Sequence, residues 1–159
     1  MIQGNDREQV DLNVSRTRSC CALILSRGGR CGIDIEDVDP AIVSSDLIRF
    51  ITSDMAEAAR FHENPTDFFV RWTQVEAMLK ADGRGLSLGV EAVDFITDDS
   101  GDPEVGHIGL KTWAISPIQT PPGLVGAIAT DLERQGVAQV AHGEIEAIWS
   151  PRTLCASDD

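Results

Sequence analysis

Two short stretches of this sequence carry the side chains best suited to chemistry. In the first, Asp34 and Glu36 stand two positions apart in a run typical of a strand, so both carboxylates point to one face. Carboxylates held this close repel each other unless a cation lies between them. Oxygen ligands of this kind suit Mg²⁺, which keeps several waters and adds substrate phosphates. The competing interpretation is an exposed strand edge whose acids only prevent aggregation.

The second stretch places Thr73, Glu76 and Lys80 three and four positions apart, so they share one stripe of a predicted helix. The ordinary interpretation is a surface ion pair between Glu76 and Lys80, which contributes little to stability. However, Lys80 and Lys111 are the only lysines in the chain. A lysine is a compact point charge suited to a phosphate, so a phosphate site and a plain ion pair both remain open.

A strongly acidic composition limits the partners of this 159-residue chain, which is long enough for one domain. The net charge of −13 argues against nucleic acid, because phosphate binding needs a basic surface. No apolar run approaches the roughly 18 residues of a membrane span, and the first residues lack a secretory signal. We therefore expect a cytoplasmic protein that binds neither nucleic acid nor a membrane.

An arginine-rich segment stands out against this acidic background. Residues 13–33 contain no acid but four arginines, which are Arg16, Arg18, Arg27 and Arg30. Such a segment is either a candidate anion site or the solvated rim of a hairpin. Cys31 adjoins the acidic pair, and neighbouring carboxylates would raise the pKa of its thiol, so we do not expect a nucleophile there.

The strands that must position these groups follow from apolar runs and turn residues. A buried strand over 20–25, a turn with paired glycines at 27–30 and a returning strand over 31–36 predict a hairpin. Within it, Gly32 would leave room for a ligand to approach the backbone. Later extended segments are expected over 91–96, 108–116, 124–130, 137–140 and 144–149.

Helices are expected in the middle of the chain, over 41–50 and 53–62. A third begins at Pro65 after the capping residue Asn64 and ends before Gly83. Its apolar stripe consists of Phe68, Trp72, Val75 and Leu79. The order predicts an α+β fold in which a mainly antiparallel sheet packs against helices.

The domain organisation is expected to be simple. Residues 1–12 would form a flexible N-terminal segment, 13–150 a single domain and 151–159 a flexible tail.

Three motifs then occur in a fixed order. They are Asn13-Val14-Ser15-Arg16, Gly32-Ile33-Asp34-Ile35-Glu36 and Trp72-Thr73-x-x-Glu76-Ala77-x-x-Lys80-Ala81-x-Gly83-x-Gly85-Leu86. In this order and at this separation they resemble the 4′-phosphopantetheinyl transferases, over roughly residues 13–130. The closer likeness is to the longer, two-lobed type that activates nonribosomal peptide and polyketide synthases. On that likeness, we expect most of the first lobe to be missing.

The resemblance implies a reaction and roles for particular residues. The 4′-phosphopantetheine arm of coenzyme A would pass to a serine of an acyl or peptidyl carrier protein, and 3′,5′-ADP would leave. Asp34 and Glu36 would bind Mg²⁺, with Glu76 as third ligand or as the base. Lys80 would neutralise the pyrophosphate, and Ser15 with Arg16 would hold the 3′-phosphate of coenzyme A.

Departures from the family pattern leave other functions open. Val75 stands where the family usually has a lysine, and Arg16 replaces a histidine. The chain could be a non-transferring relative that binds carrier proteins or an assembly-line partner, or it could catalyse another step on carrier-tethered intermediates. Without a first lobe, the predicted hairpin would have an exposed edge or face, so we expect a homo-oligomer or docking on another polypeptide.

Overall fold

A computed structural model describes residues 10–97 and 103–131. The helices and strands run in chain order as β1 (Val10–Arg16), β2 (Cys21–Arg27), β3 (Cys31–Asp37), α1 (Ser45–Ile51), α2 (Met55–Glu63), α3 (Pro65–Asp82), β4 (Val93–Thr97), β5 (Pro103–Ile108), β6 (Lys111–Pro117) and β7 (Leu124–Asp131). Five strands form an antiparallel sheet in the order β3-β7-β6-β5-β4, and β1 pairs with β2 as a separate ribbon. The predicted α+β class with a mainly antiparallel sheet is confirmed.

The predicted hairpin between β2 and β3 is wrong. Gly28 does form a turn, with a φ of 86°, but β2 pairs with β1 and β3 pairs with β7. Backbone N–H groups on the free edge of β3 donate instead to side-chain oxygens of β1. These bonds are Cys31 to Asp11 (2.8 Å), Ile33 to Asn13 (3.2 Å) and Ile35 to Ser15 (3.2 Å). Side chains of the ribbon therefore satisfy an edge that a hairpin partner would otherwise cover.

Helix α3 is the longest element and follows its predicted signals. The Asn64 side chain accepts from the Thr66 N–H, Pro65 occupies the first turn, and Gly83 ends the helix at a φ of 89°. Most of the helix is buried rather than a single stripe, because α3 crosses both β3 and β7.

Gly32 permits this packing. A Cβ there would overlap the backbone of α3, meeting the Ala77 carbonyl oxygen and lying 2.6 Å from the Ala81 nitrogen. The space that we assigned to a ligand is therefore occupied by the helix itself, which corrects that prediction. Only a glycine lets the two backbones approach this closely.

The sheet is covered on both faces near β3. On one face α3 buries Met78 and Leu79 against Trp113, Ile115 and other side chains of the sheet. The opposite face carries the side chains of Ile33, Ile35 and Ile128, which pack on the ribbon residues Ala22 and Ile24. Since side chains alternate along a strand, Asp34 and Glu36 must lie on the face that α3 covers.

Several predicted boundaries change. The expected strand 108–116 corresponds to β6, which begins only at Lys111 because Gly109 turns the chain with a φ of 61°. Strand β5, which pairs with β6 across that turn, was not predicted. Strand β1 begins at Val10, inside the segment 1–12 that we expected to be flexible. The first helix begins at Ser45, since Ser44 caps it and a short 3₁₀ turn at Pro40–Ile42 precedes it.

The remaining predictions lie outside the described residues. These are the strands at 137–140 and 144–149, the tail 151–159 and most of the segment 1–12. Among the residues that the structure does describe, no helix is long and apolar enough to cross a membrane.

Candidate active site

The two chemical stretches of the sequence meet where α3 lies over β3. The Lys80 Nζ lies 2.7 Å from Asp34 Oδ1 and also donates to the Ile33 carbonyl oxygen at 3.2 Å. The ordinary interpretation, a surface ion pair between Glu76 and Lys80, therefore does not describe the contact that Lys80 makes. Its partner is the buried carboxylate of the neighbouring strand.

Asp34 is the most enclosed acid of the site. Its Oδ1 accepts from the Ser15 hydroxyl at 2.9 Å as well as from Lys80, whereas Oδ2 is buried and has no hydrogen-bond partner. Burial raises the pKa of Asp34, and the contacts with Lys80 and Ser15 oppose that rise. A buried carboxylate oxygen without a partner is costly, so Oδ2 indicates a missing cation or donor.

Glu36 is held by an aromatic side chain that we assigned to the core. Trp72 is half-buried, and its Nε1–H donates to Glu36 Oε1 at 3.2 Å. Burial raises the pKa of Glu36, as do the charges of Asp34 and Glu76, while the Trp72 hydrogen bond lowers it. The position of Trp72 one turn before Glu76 on α3 was the available signal for this role.

Glu76 completes the acidic set. Its side chain is half-buried, and burial together with the nearby charge of Asp34 raises its pKa, with Lys80 opposing. Glu76 also raises the pKa of Glu36. The three carboxylates therefore share one electrostatic environment in which their negative charges oppose one another.

These acids do not form a ready-made metal cluster. Among residues 10–97 and 103–131, no three His, Cys, Asp or Glu side chains are grouped so as to hold a metal ion. Mg²⁺ does not require such a cluster, because it is usually bound by one or two carboxylates together with substrate phosphates and water. The unpartnered Asp34 Oδ2 and the all-oxygen donors fit that mode of binding.

The upstream motif is divided by the structure. Ser15 is buried and belongs to the site through its bond to Asp34, whereas Arg16 is exposed on the other face of β1. Adjacent residues in a strand point in opposite directions, so the two cannot hold one phosphate from the same side of the ribbon.

The arginine-rich segment is not an open cluster of cations. Arg18 pairs with Asp37 at 3.6 Å, and Arg30 pairs with Asp11 at 3.7 Å. Both acids lie just outside residues 13–33. Counting the charges of that segment alone therefore overstated the local positive charge.

Thr73 and Cys31 are structural. The Thr73 side chain is buried and its hydroxyl donates to the Val70 carbonyl oxygen at 2.9 Å, within the helix. Cys31 is buried too, and its pKa is raised to about 11, first by burial and then by Asp11. A thiol of that kind stays protonated, which agrees with the prediction that it is not a nucleophile, although burial is the larger cause.

Comparison with known protein families now places the chain. The family model for the 4′-phosphopantetheinyl transferase superfamily matches residues 30–129, from the turn before β3 almost to the end of β7. The matched residues include β3 and α3, which carry Asp34, Glu36, Glu76 and Lys80. The chain belongs to the 4′-phosphopantetheinyl transferase superfamily. A search of curated proteins gave no match.

Proposed function

We propose that this protein transfers the 4′-phosphopantetheine arm of coenzyme A to a serine of an acyl or peptidyl carrier protein in a Mg²⁺-dependent reaction. The observation that carries the proposal is the Lys80–Asp34 contact beside the buried, unpartnered Asp34 Oδ2. The Lys80 ammonium group thus lies beside a carboxylate oxygen that has no partner. A pyrophosphate would suit the ammonium group, and a divalent ion bound to that pyrophosphate would suit the carboxylate oxygen.

In this reaction the carrier serine oxygen bonds to the phosphorus of the phosphopantetheine arm. The bond from that phosphorus to the bridging pyrophosphate oxygen breaks, and 3′,5′-ADP leaves with the electron pair. Glu76 takes the serine proton, directly or through one water, and its raised pKa makes it a stronger base than an ordinary glutamate.

Asp34 and Glu36 would hold Mg²⁺, with Glu76 as a third ligand if it does not act as the base. When bound, the ion would offset the charge that develops on the pyrophosphate during phosphoryl transfer. The Trp72 N–H fixes the Glu36 carboxylate, and Lys80 would neutralise a phosphate oxygen. Ser15 would act by holding Asp34, and Arg16 would meet the 3′-phosphate from the other side of the ribbon.

The carrier protein needs a surface beside this site. Phe50 of α1 is exposed and its ring centroid lies 6.4 Å from that of Trp72, which itself binds Glu36. Ile42 is exposed on the preceding turn. We assign these apolar side chains to carrier docking, in polyketide or nonribosomal peptide biosynthesis in the cytoplasm. A homo-oligomer or docking on another polypeptide remains a prediction, and light scattering at micromolar concentration tests it.

The test is transfer of labelled coenzyme A to a set of acyl and peptidyl carrier proteins. The wild-type protein should label at least one carrier with Mg²⁺ present, and Glu76→Gln should lose most of that labelling. Glu63→Gln on the exposed end of α2 is the matched control and should label normally. Failure of the wild-type protein to label any carrier would contradict the proposal.

A second candidate is a non-transferring relative that binds carriers. Val75, which stands in place of a lysine, is buried in the core and cannot reach a phosphate. Carrier binding without coenzyme A binding would favour this candidate. A third candidate, another step on carrier-tethered intermediates, would change the carrier mass by an amount other than that of phosphopantetheine, which mass spectrometry would detect.

A further inference from the structure

The outer face of the β1–β2 ribbon is apolar and faces solvent. Five large aliphatic side chains on it are between 45% and 59% exposed, and they are Val10, Leu12, Val14, Leu23 and Leu25. The register places Leu12 opposite Leu25 and Val14 opposite Leu23, so the side chains form one continuous patch. Contiguous exposed apolar patches of this kind mark interaction surfaces.

Positive charge frames the patch. Alternation along the strands puts Arg16 and Arg27 on the same face as the aliphatic side chains, at opposite ends of the ribbon. An occupant with an apolar face and acidic residues would suit this surface. A second copy would bring another patch flanked by arginines, in a protein of net charge −13, so charge does not favour it.

The chain itself contains a segment of the required chemistry. Residues 144–149 read Glu144-Ile145-Glu146-Ala147-Ile148-Trp149. If this segment is extended, Ile145, Ala147 and Trp149 share one face, and the two glutamates share the other face with Ile148. It therefore combines an apolar face with two negative charges within six residues.

The connection is long enough. The Asp131 N–H donates to the Arg30 carbonyl oxygen at 3.1 Å, which places the end of β7 beside the turn that leaves β2. The twelve residues between Asp131 and Glu144 span up to about 40 Å when extended. The seven-residue strands of the ribbon are only about 23 Å long, so the segment can reach the whole patch.

We propose that residues 144–149 of the same chain dock on the outer face of the β1–β2 ribbon. Docking would cover the aliphatic patch. Glu144 and Glu146 would lie about 7 Å apart in an extended segment, so both would come near the arginine at one end of the ribbon. The ribbon closes the edge of β3 and holds Asp34 through Ser15. The docked segment would thereby support the strand that carries the candidate active site.

Hydrogen–deuterium exchange of the full chain tests the proposal. We expect the amides of 144–149 to exchange at least about tenfold more slowly than an unstructured segment. Leu25→Glu, which charges the patch, should remove that protection and leave α3 protected. Leu110→Glu is the matched control, because Leu110 is exposed at the turn between β5 and β6, and it should change neither.

The reciprocal variant keeps the test informative if Leu25→Glu does not fold. Ile145→Glu should raise the maleimide labelling rate of Cys21, an exposed thiol on the same face, by about tenfold or more. Free exchange of 144–149 in the wild-type protein would overturn the proposal. A second result would also overturn it. If the patch is protected only while the protein is a dimer, and the protection is lost when dilution dissociates that dimer, the occupant is a second copy. Neither result depends on transfer activity.

Discussion

Lys80 of α3 and Asp34 of β3 are joined by a contact of 2.7 Å across the helix–sheet interface. The same Asp34 Oδ1 accepts from Ser15 of the ribbon, so one carboxylate oxygen connects three elements of the fold. Its other oxygen is left unpaired. Asp34 therefore has two roles. Its Oδ1 joins α3 and the ribbon to β3, and its Oδ2 leaves the candidate site one contact short.

Removing the lysine should destabilise the protein. Lys80→Met leaves the Asp34 carboxylate buried without its cation, and we expect a loss of about 2 kcal/mol, reduced from the value for a fully buried pair because the Lys80 side chain is 27% exposed. Chemical denaturation measures this loss. Lys111→Met is the control, since Lys111 is half-exposed and lies 3.5 Å from Asp82. Equal losses in the two variants would show that the Lys80–Asp34 contact is not special.

The acidic set predicts a particular pH dependence. Because the pKa of Glu76 is raised in the folded state, the folded protein holds that proton more tightly than the unfolded chain. The contribution of Glu76 to the free energy of unfolding is therefore fully present below the ordinary pKa of a glutamate. It is lost as the pH rises through the raised pKa of the folded state.

Without divalent ions, the free energy of unfolding of Glu76→Gln should therefore rise relative to wild type as pH increases upward from about 4.5. Denaturation of both proteins across this range measures the difference. A difference that stays constant, or that changes in the opposite direction, would contradict the assigned environment of Glu76.

Close approach of two backbones makes Gly32 sensitive to any side chain. Gly32→Ala should destabilise the protein by about 3 kcal/mol, because the new Cβ meets the α3 backbone at Ala77 and Ala81, which cannot move aside cheaply. Gly109→Ala is the control: its Cβ meets nothing within 4 Å but its φ is 61°. That variant should lose only about 1 kcal/mol from backbone strain. Similar losses would argue against the tight packing of α3 on β3.

The indole of Trp72 should matter for ligand binding more than for folding. Trp72→Phe keeps a ring against Phe68 but removes the N–H that holds Glu36, so Mg²⁺-dependent binding of coenzyme A should weaken by about tenfold. Trp113→Phe is the matched control, because its buried Nε1 has no hydrogen-bond partner to lose. Unchanged ligand binding in Trp72→Phe would remove Trp72 from the site.

The parts that could be predicted from sequence are those set by local rules. Strand alternation placed Asp34 and Glu36 on one face, and Asn64, Pro65 and Gly83 defined the ends of α3. The class of fold followed from the order of such elements. These features depend on neighbours along the chain, which a sequence displays directly.

The parts that could not be predicted depend on partners far along the chain. Nothing local says that β3 pairs with β7 while its other edge is satisfied by Asp11, Asn13 and Ser15. Gly32 was assigned to a ligand because the approach of α3 is a tertiary event. The Trp72 bond to Glu36 was missed for the same reason, since an aromatic residue on an apolar stripe is usually core.

Calorimetric titration of coenzyme A into the protein, with and without Mg²⁺, tests the central claim most directly. We predict binding that requires Mg²⁺ in the wild-type protein and weakens by about tenfold or more in Asp34→Asn and in Glu36→Gln. Binding that is equally tight without Mg²⁺ and unchanged in both variants would contradict the claim that the β3 carboxylates and α3 form a metal-dependent site for the cofactor pyrophosphate.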